Sequence, residues 1–310
     1  MGHHHHHAHG TGWILRASLV ATLAFTALEV FAGLRSGSLA LLSDAGHNFT
    51  DALALLLAAV GLYLQDKPAD QSKTYGYQRA GVIAAFLNAA TLIVISLIIF
   101  WEAIARMIHP QPVDERTMIW VAAIALVMNG AIMLALHRGQ KGDINIRAAF
   151  VHMLGDALGA VAIIIGAFAI RYTGWTYIDP VLSIALGALI IYTAWDIIAE
   201  SVNILLEGLP RGLELTRVTQ AMSGVEGVLD VHDLHIWSLG SSIHALSSHV
   251  LIEDMPPSAS DCILKRIHEV LCTFGIHHST IQFEHVPCVV SDTGCQAYAN
   301  AHKHDRHDHA

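Results

Sequence analysis

His47 and Asp51 stand four residues apart, and so do His152 and Asp156. On an α-helix that spacing puts both side chains on one face. Imidazole nitrogens and carboxylate oxygens are ligands for small divalent metals, and zinc takes four at about 2.0–2.2 Å in a tetrahedron. Two such pairs on facing helices supply a complete set. Both pairs lie inside long apolar stretches, where an ionisable group is costly and marks an ion path by default. The structural alternative is a His buried against its own Asp as a hydrogen-bonded couple. That alternative serves one pair well and two matched pairs poorly. Asp44 shares the face of His47 and Asp51 and is expected to orient a ligand or line a water path.

The elements that must position these groups are membrane helices. The chain has 310 residues, 54% hydrophobic and 14% charged, against about 25% charged in soluble domains. Six apolar segments reach the ~20 residues that cross a bilayer: Trp13–Leu34, Leu39–Leu64, Ala80–Met107, Thr117–Leu136, Ile144–Ile170 and Ile178–Leu206. The first is too long for a signal peptide, carries Glu29 and lacks a clean cleavage site. The motifs interrupt the second and fifth segments, the middle member of each three-span half. The spacing from His47 to His152 equals that from Asp51 to Asp156. Halves of three spans have opposite orientations, as in inverted repeats, although little similarity extends beyond the motif. Lys67, Lys73, Arg79, Arg138, Lys141 and Arg147 flank one side; Arg35, Arg106, Arg116 and Arg171 flank the other. The bias favours cytoplasmic termini, as in a multi-pass protein of the plasma (inner) membrane.

Residues 13–208 therefore read as a six-helix membrane domain, and 209–289 as a small cytoplasmic α+β domain of order αββαβ. Its expected elements are a helix over Arg211–Met222, strands over Val228–Leu239 and Ile243–Glu253, a helix over Ser258–Phe274 and a strand over Ser279–His285. Such an order gives a three-stranded sheet with helices on one face. Residues 1–12 form a His-rich tail (His3 to His7, His9), either a metal collector or a purification tag. Residues 290–310 form a second tail with His302, His304, His307 and His309, a low-affinity collector or a solvated end. Cys262, Cys272, Cys288 and Cys295 show no CxxC spacing and are expected as thiols in a reducing compartment. A net charge of −9 argues against nucleic-acid binding.

Protons and metal compete for the four motif groups, because only neutral imidazole and ionised carboxylate bind metal. That competition is a physical basis for exchanging one against the other across a membrane. Metal loads where pH is higher, and protons displace it where pH is lower. Among other polar residues in the spans, Glu29 serves either protons or helix packing, and Asn88 and Asn129 suit interhelical hydrogen bonds. Gly155 and Gly159 would let the fifth span approach a neighbour closely. Asp179 before Pro180 suits helix capping.

Five features together resemble the cation diffusion facilitators, closest to their zinc-transporting branch. They are the run from Ser38 through Leu-Ala-Leu-Leu-Ser-Asp-Ala-Gly-His-Asn-Phe-Thr to Asp51, Thr74-Tyr-Gly-Tyr-Gln-Arg79, the His152/Asp156 motif, Asp179-Pro180, and Val231-His-Asp-Leu-His-Ile-Trp237. The resemblance covers roughly Trp13 to His285. It implies a homodimer of six-helix subunits with a ferredoxin-like cytoplasmic domain, exporting zinc against protons by alternating access. It maps the transport site onto His47, Asp51, His152 and Asp156, and His47 in the first position points to zinc over manganese. Nitrogen ligands are consistent with that choice, though cadmium and cobalt share the preference. Gly81 stands where the family often has an acidic residue, which puts in doubt a salt bridge at that end of the third span. The resemblance also maps a cytoplasmic zinc site, structural or regulatory, onto His232, His249, His278 and Glu284. His235 and His277 are neighbours that compete for those assignments. Cys288 and Cys295 could add thiolates, and a partner subunit's His-rich tail could complete the site.

Two other classes compete with a proton-coupled exporter. A membrane metal sensor would use the cytoplasmic histidines and needs no paired ligands in its spans. An intramembrane metalloenzyme would keep an open metal position, whereas four protein ligands close it, and no His-Glu-x-x-His occurs. The expected reading is a secondary transporter with divalent metal, protons, the bilayer and a second subunit as its partners.

Overall fold

The computed structural model describes residues 11–65, 67–137, 144–240 and 243–286. The two His-rich tails, Cys288 and Cys295 lie outside them. Six long helices come first: α1 (Thr11–Ser36), α2 (Leu39–Gln65), α3 (Ala80–Ile108), α4 (Glu115–Leu136), α5 (Ile144–Thr173) and α6 (Ile178–Leu205). They form where the six apolar segments were expected. Among the described residues, four stretches are long and apolar enough to cross a membrane: α3, Glu115–Ala135, Phe150–Thr173 and α6. α2 falls outside that set and carries Asp44, His47 and Asp51 in its first half. In α1, most side chains before Thr22 lie outside the described residues.

Two compact units separate. One runs through Ala59 and resumes over Ala84–Ile198; the other takes Val60–Ile83 and the described chain from Ala199 onward. The hydrophilic loop between α2 and α3 thus clusters with the C-terminal elements.

In the helical unit, α1, α2, α4 and α5 bury a shared core of Ala32, Ala40, Leu41, Met118, Val121, Ala122, Ile163, Ala167 and Ile170. Small residues allow such close approach where no hydrophobic drive separates helix from lipid. Within this unit the tightest glycine contacts among the described residues are Gly166 against Leu182, and Gly187 against the Phe100 ring. Among the described residues the expected approach at Gly155 is not made: none lies within 4 Å of where its Cβ would be, and at Gly159 the nearest atom, on Leu186, is 3.9 Å away.

The turn from α1 into α2 runs through Gly37 at φ +70°. A Cβ there would lie 3.0 Å from the Pro112 carbonyl oxygen, so both backbone sign and space call for glycine. Asp114 caps α4, accepting from the amides of Arg116 and Thr117. The Thr117 hydroxyl, then those amides, hold its carboxyl below the usual range.

The C-terminal elements are α7 (Leu215–Ser223), β1 (Val228–Ser238), β2 (His244–Ile252), α8 (Pro257–Thr273) and β3 (Ile276–Glu284). The order αββαβ is as expected. α7 starts later than expected, after Pro210 and a Gly212 at φ +85°. β3 starts earlier, directly after Gly275 at φ +73° reverses the chain. The sheet has order β1-β2-β3. β1 and β2 are antiparallel, and β2 and β3 are parallel, so α8 is the crossover that a parallel pair requires. Alternate residues of β2 (Leu246, Val250, Ile252) meet Ile263, Ile267 and Leu271 of α8 and Val218 and Met222 of α7 in one core.

Candidate metal centres

α2 and α5 bring the first four candidates together. His47 Nε2 lies 3.3 Å from Asp156 Oδ1, and His152 Nε2 lies 3.1 Å from Asp51 Oδ2. Within each helix the His–Asp distance is 3.7 Å. One ligand atom from each of the four residues lies within 4.8 Å of the other three. Ligands about 2.0–2.2 Å from a tetrahedral zinc are about 3.3–3.6 Å from one another, and the four His–Asp separations, 3.1 to 3.7 Å, lie around that range. The shortest contacts cross between helices, His of one to Asp of the other. Two carboxylates also balance a dication. Asp156 is the most buried of the four, at 9% exposure.

Two further acids sit close by. Glu29 of α1 is fully buried, and its Oε2 accepts from Asn48 Nδ2 at 2.7 Å. This is the helix-packing hydrogen bond weighed for Glu29, and it ties α1 to α2 one residue past His47. Asp44 stands three residues before His47 on the same face of α2, and His47 keeps its cross-helix contact with Asp156.

A second group lies on the C-terminal sheet. His232 of β1 and His249 of β2 are directly paired across the strands. Glu284 of β3 reaches both, at 3.1 Å to His232 Nε2 and 2.8 Å to His249 Nδ1. One ligand atom from each of these three lies within 4.8 Å of the other two. His278 does not join them. It pairs with Ala245, four positions along β2 from His249, or roughly 13 Å at the rise of a strand. Its ring meets Tyr75 edge-on, with centroids 5.3 Å apart. His235 stays apart as well and contacts Asp233 Oδ1 at 3.1 Å.

Asp233 was not foreseen. A bulge between His232 and His235 places it at φ 48°, and its other oxygen lies 3.9 Å from His249 Nε2. The motif His-Asp-Leu-His carries no signal for a bulge. His244, at the opposite end of β2, is held below the usual imidazole range, first by burial and then by the nearby His277.

The α2–α3 loop is pinned by Asp70, which accepts from the Ser72 hydroxyl and amide, the Lys73 amide and the Tyr77 hydroxyl. The Ser72 hydroxyl is the strongest of these influences, and together they hold the carboxyl far below its usual range. Arg79 then pairs with Glu207 at 3.1 Å. The salt bridge put in doubt by Gly81 is thus supplied by a residue distant in sequence.

Residues 15–206 match the cation efflux transmembrane domain family, and residues 210–286 match the cation efflux protein cytoplasmic domain family. A protein named zinc transporter ZitB from Pectobacterium atrosepticum is 40% identical over 99% of this chain and 96% of its own. One from Bacillus subtilis, named cadmium, cobalt and zinc/H(+)-K(+) antiporter, is 37% identical over 92% of each chain. The metal cation efflux system protein CzcD of Cupriavidus metallidurans is 36% identical over 94% of this chain and 92% of its own. A solved metal-bound C-terminal domain of a CzcD transporter is 34% identical, covering 23% of this chain and 99% of that one with a TM-score of 0.22. These relatives are named as transporters and efflux proteins. With both of its parts matched in order and relatives aligned along nearly its whole length, the chain belongs to the cation efflux family of membrane metal transporters.

Proposed function

We propose that the protein exports zinc in exchange for protons, with His47, Asp51, His152 and Asp156 as the transport site. The observation that carries this is the convergence of two imidazoles and two carboxylates, from two apolar helices, at tetrahedral zinc spacing. Metal is the cargo of this site. Each of the four groups binds either zinc or a proton, so unloading by protonation follows from the ligand chemistry. Six spans, cytoplasmic termini and alternating access around the fixed site complete the reading, and the antiporter name of the Bacillus relative supports the coupling. The match to a cytoplasmic domain of this family supports a homodimer. Cadmium and cobalt, which share zinc's ligand preference, are expected as weaker or competing cargo.

His232, His249 and Glu284 form the second metal site in this proposal, structural or regulatory. Three ligands leave a fourth position, which a group from the second subunit would fill.

Proteoliposomes with an imposed pH gradient test the transport reading. Zinc flux should follow the gradient, and Asp156→Ala should lower it by at least a hundredfold. Wild-type flux in that variant, or zinc binding without any flux in the parent, would overturn the proposal.

A further inference from the structure

We infer that Asp179 is a positioning residue for the transport site, acting through α2 without touching metal. The inference rests on the transport reading above.

Asp179 lies in the first turn of α6 and is 0% exposed. Its carboxylate does not serve the helix that carries it. Oδ1 accepts from the Ser38 hydroxyl at 2.6 Å and the Ala40 amide at 3.2 Å, and Oδ2 accepts from the Leu39 amide at 2.7 Å. The Leu41 amide is taken by Ser38 Oγ at 3.2 Å. The first amides of α2 are thereby all satisfied with no water needed, as a helix starting inside an apolar bundle requires. Pro180 brings no amide to the start of α6, so Asp179 is free to cap a neighbour. A carboxylate at the positive end of α2 also suits the helix dipole.

The same turn is held from two more sides. Arg106 of α3 donates to the Gly37 carbonyl, and the Asp114 amide donates to the Ser36 carbonyl at 2.8 Å. The origin of α2 is therefore fixed on α3, the α3–α4 loop and α6. Ser38, Leu39, Ala40 and Leu41 are buried, while Leu56, Val60 and Tyr63 further along α2 are exposed. His47 lies eight residues past Leu39, about 12 Å at the rise of a helix. The clamp thus sets where one ligand pair stands relative to the pair on α5.

The test is zinc transport kinetics of the full chain in proteoliposomes. Asp179→Asn keeps size and loses charge, and should raise KM for zinc about tenfold while kcat stays within threefold. Ser38→Ala removes one donor, leaves the carboxylate, and should raise KM about threefold. The double variant should be no worse than Asp179→Asn alone, because both act through one contact. An unchanged KM, or a fall in kcat with KM constant, overturns the inference. If Asp179→Asn fails to fold, Ser38→Ala decides by the same criterion. His47→Ala runs alongside: wild-type transport there would sink the transport-site reading itself, whatever Asp179 does.

Discussion

Single residues set the chemistry of the sheet site. His232 and His249 face each other across two strands, and Glu284 offers one oxygen to each. Replacing Glu284 by Gln leaves two imidazoles and should weaken zinc binding by the C-terminal elements at least tenfold in a competition titration. His278→Ala should leave that affinity within twofold, because His278 lies opposite Ala245, four residues along β2 from His249. His244 offers a pH test. Its folded-state pKa lies below the unfolded value. As pH falls through about 6.5, the unfolded chain therefore binds protons first and stability drops. Melting curves from pH 8 to pH 5 should show His244→Gln gaining on the parent only at the acidic end.

Elements decide how much of this was legible in the sequence. The two His/Asp pairs were readable because helical periodicity alone puts positions four apart on one face, and nothing in α2 or α5 disturbs it. The strand candidates were harder. Strand parity assigns faces only while the ladder is regular, and the bulge at Asp233 breaks it. His278, one residue before the expected strand, falls on β3 yet sits six residues from Glu284, too far along the strand to share a metal. Asp179 was legible as a capping residue, but the helix it caps is decided by packing. The core of α7, α8 and the sheet follows directly from alternating and helical patterns. Gly227, at φ +99° with Ile263 2.6 Å from where its Cβ would be, should cost about 1–3 kcal/mol on change to Ala, read by thermal melting. Arg79→Ala should cost no more than about 1 kcal/mol, since its partner Glu207 is largely exposed.

At the scale of the whole molecule, α2 stands out because it belongs to both compact units. Through Ala59 it counts with the helices, and from Val60 onward with the C-terminal elements. Its origin is clamped at Ser38, and its far end leads into the loop in which Asp70 accepts from the Ser72 and Lys73 amides. A rod clamped at its origin behaves as a gauge. One helical turn of slippage is about 5.4 Å, more than the whole span of the four ligand atoms. In the transport reading proposed above, the spacing of the four groups on α2 and α5 is therefore a length standard kept by residues that stand outside the site.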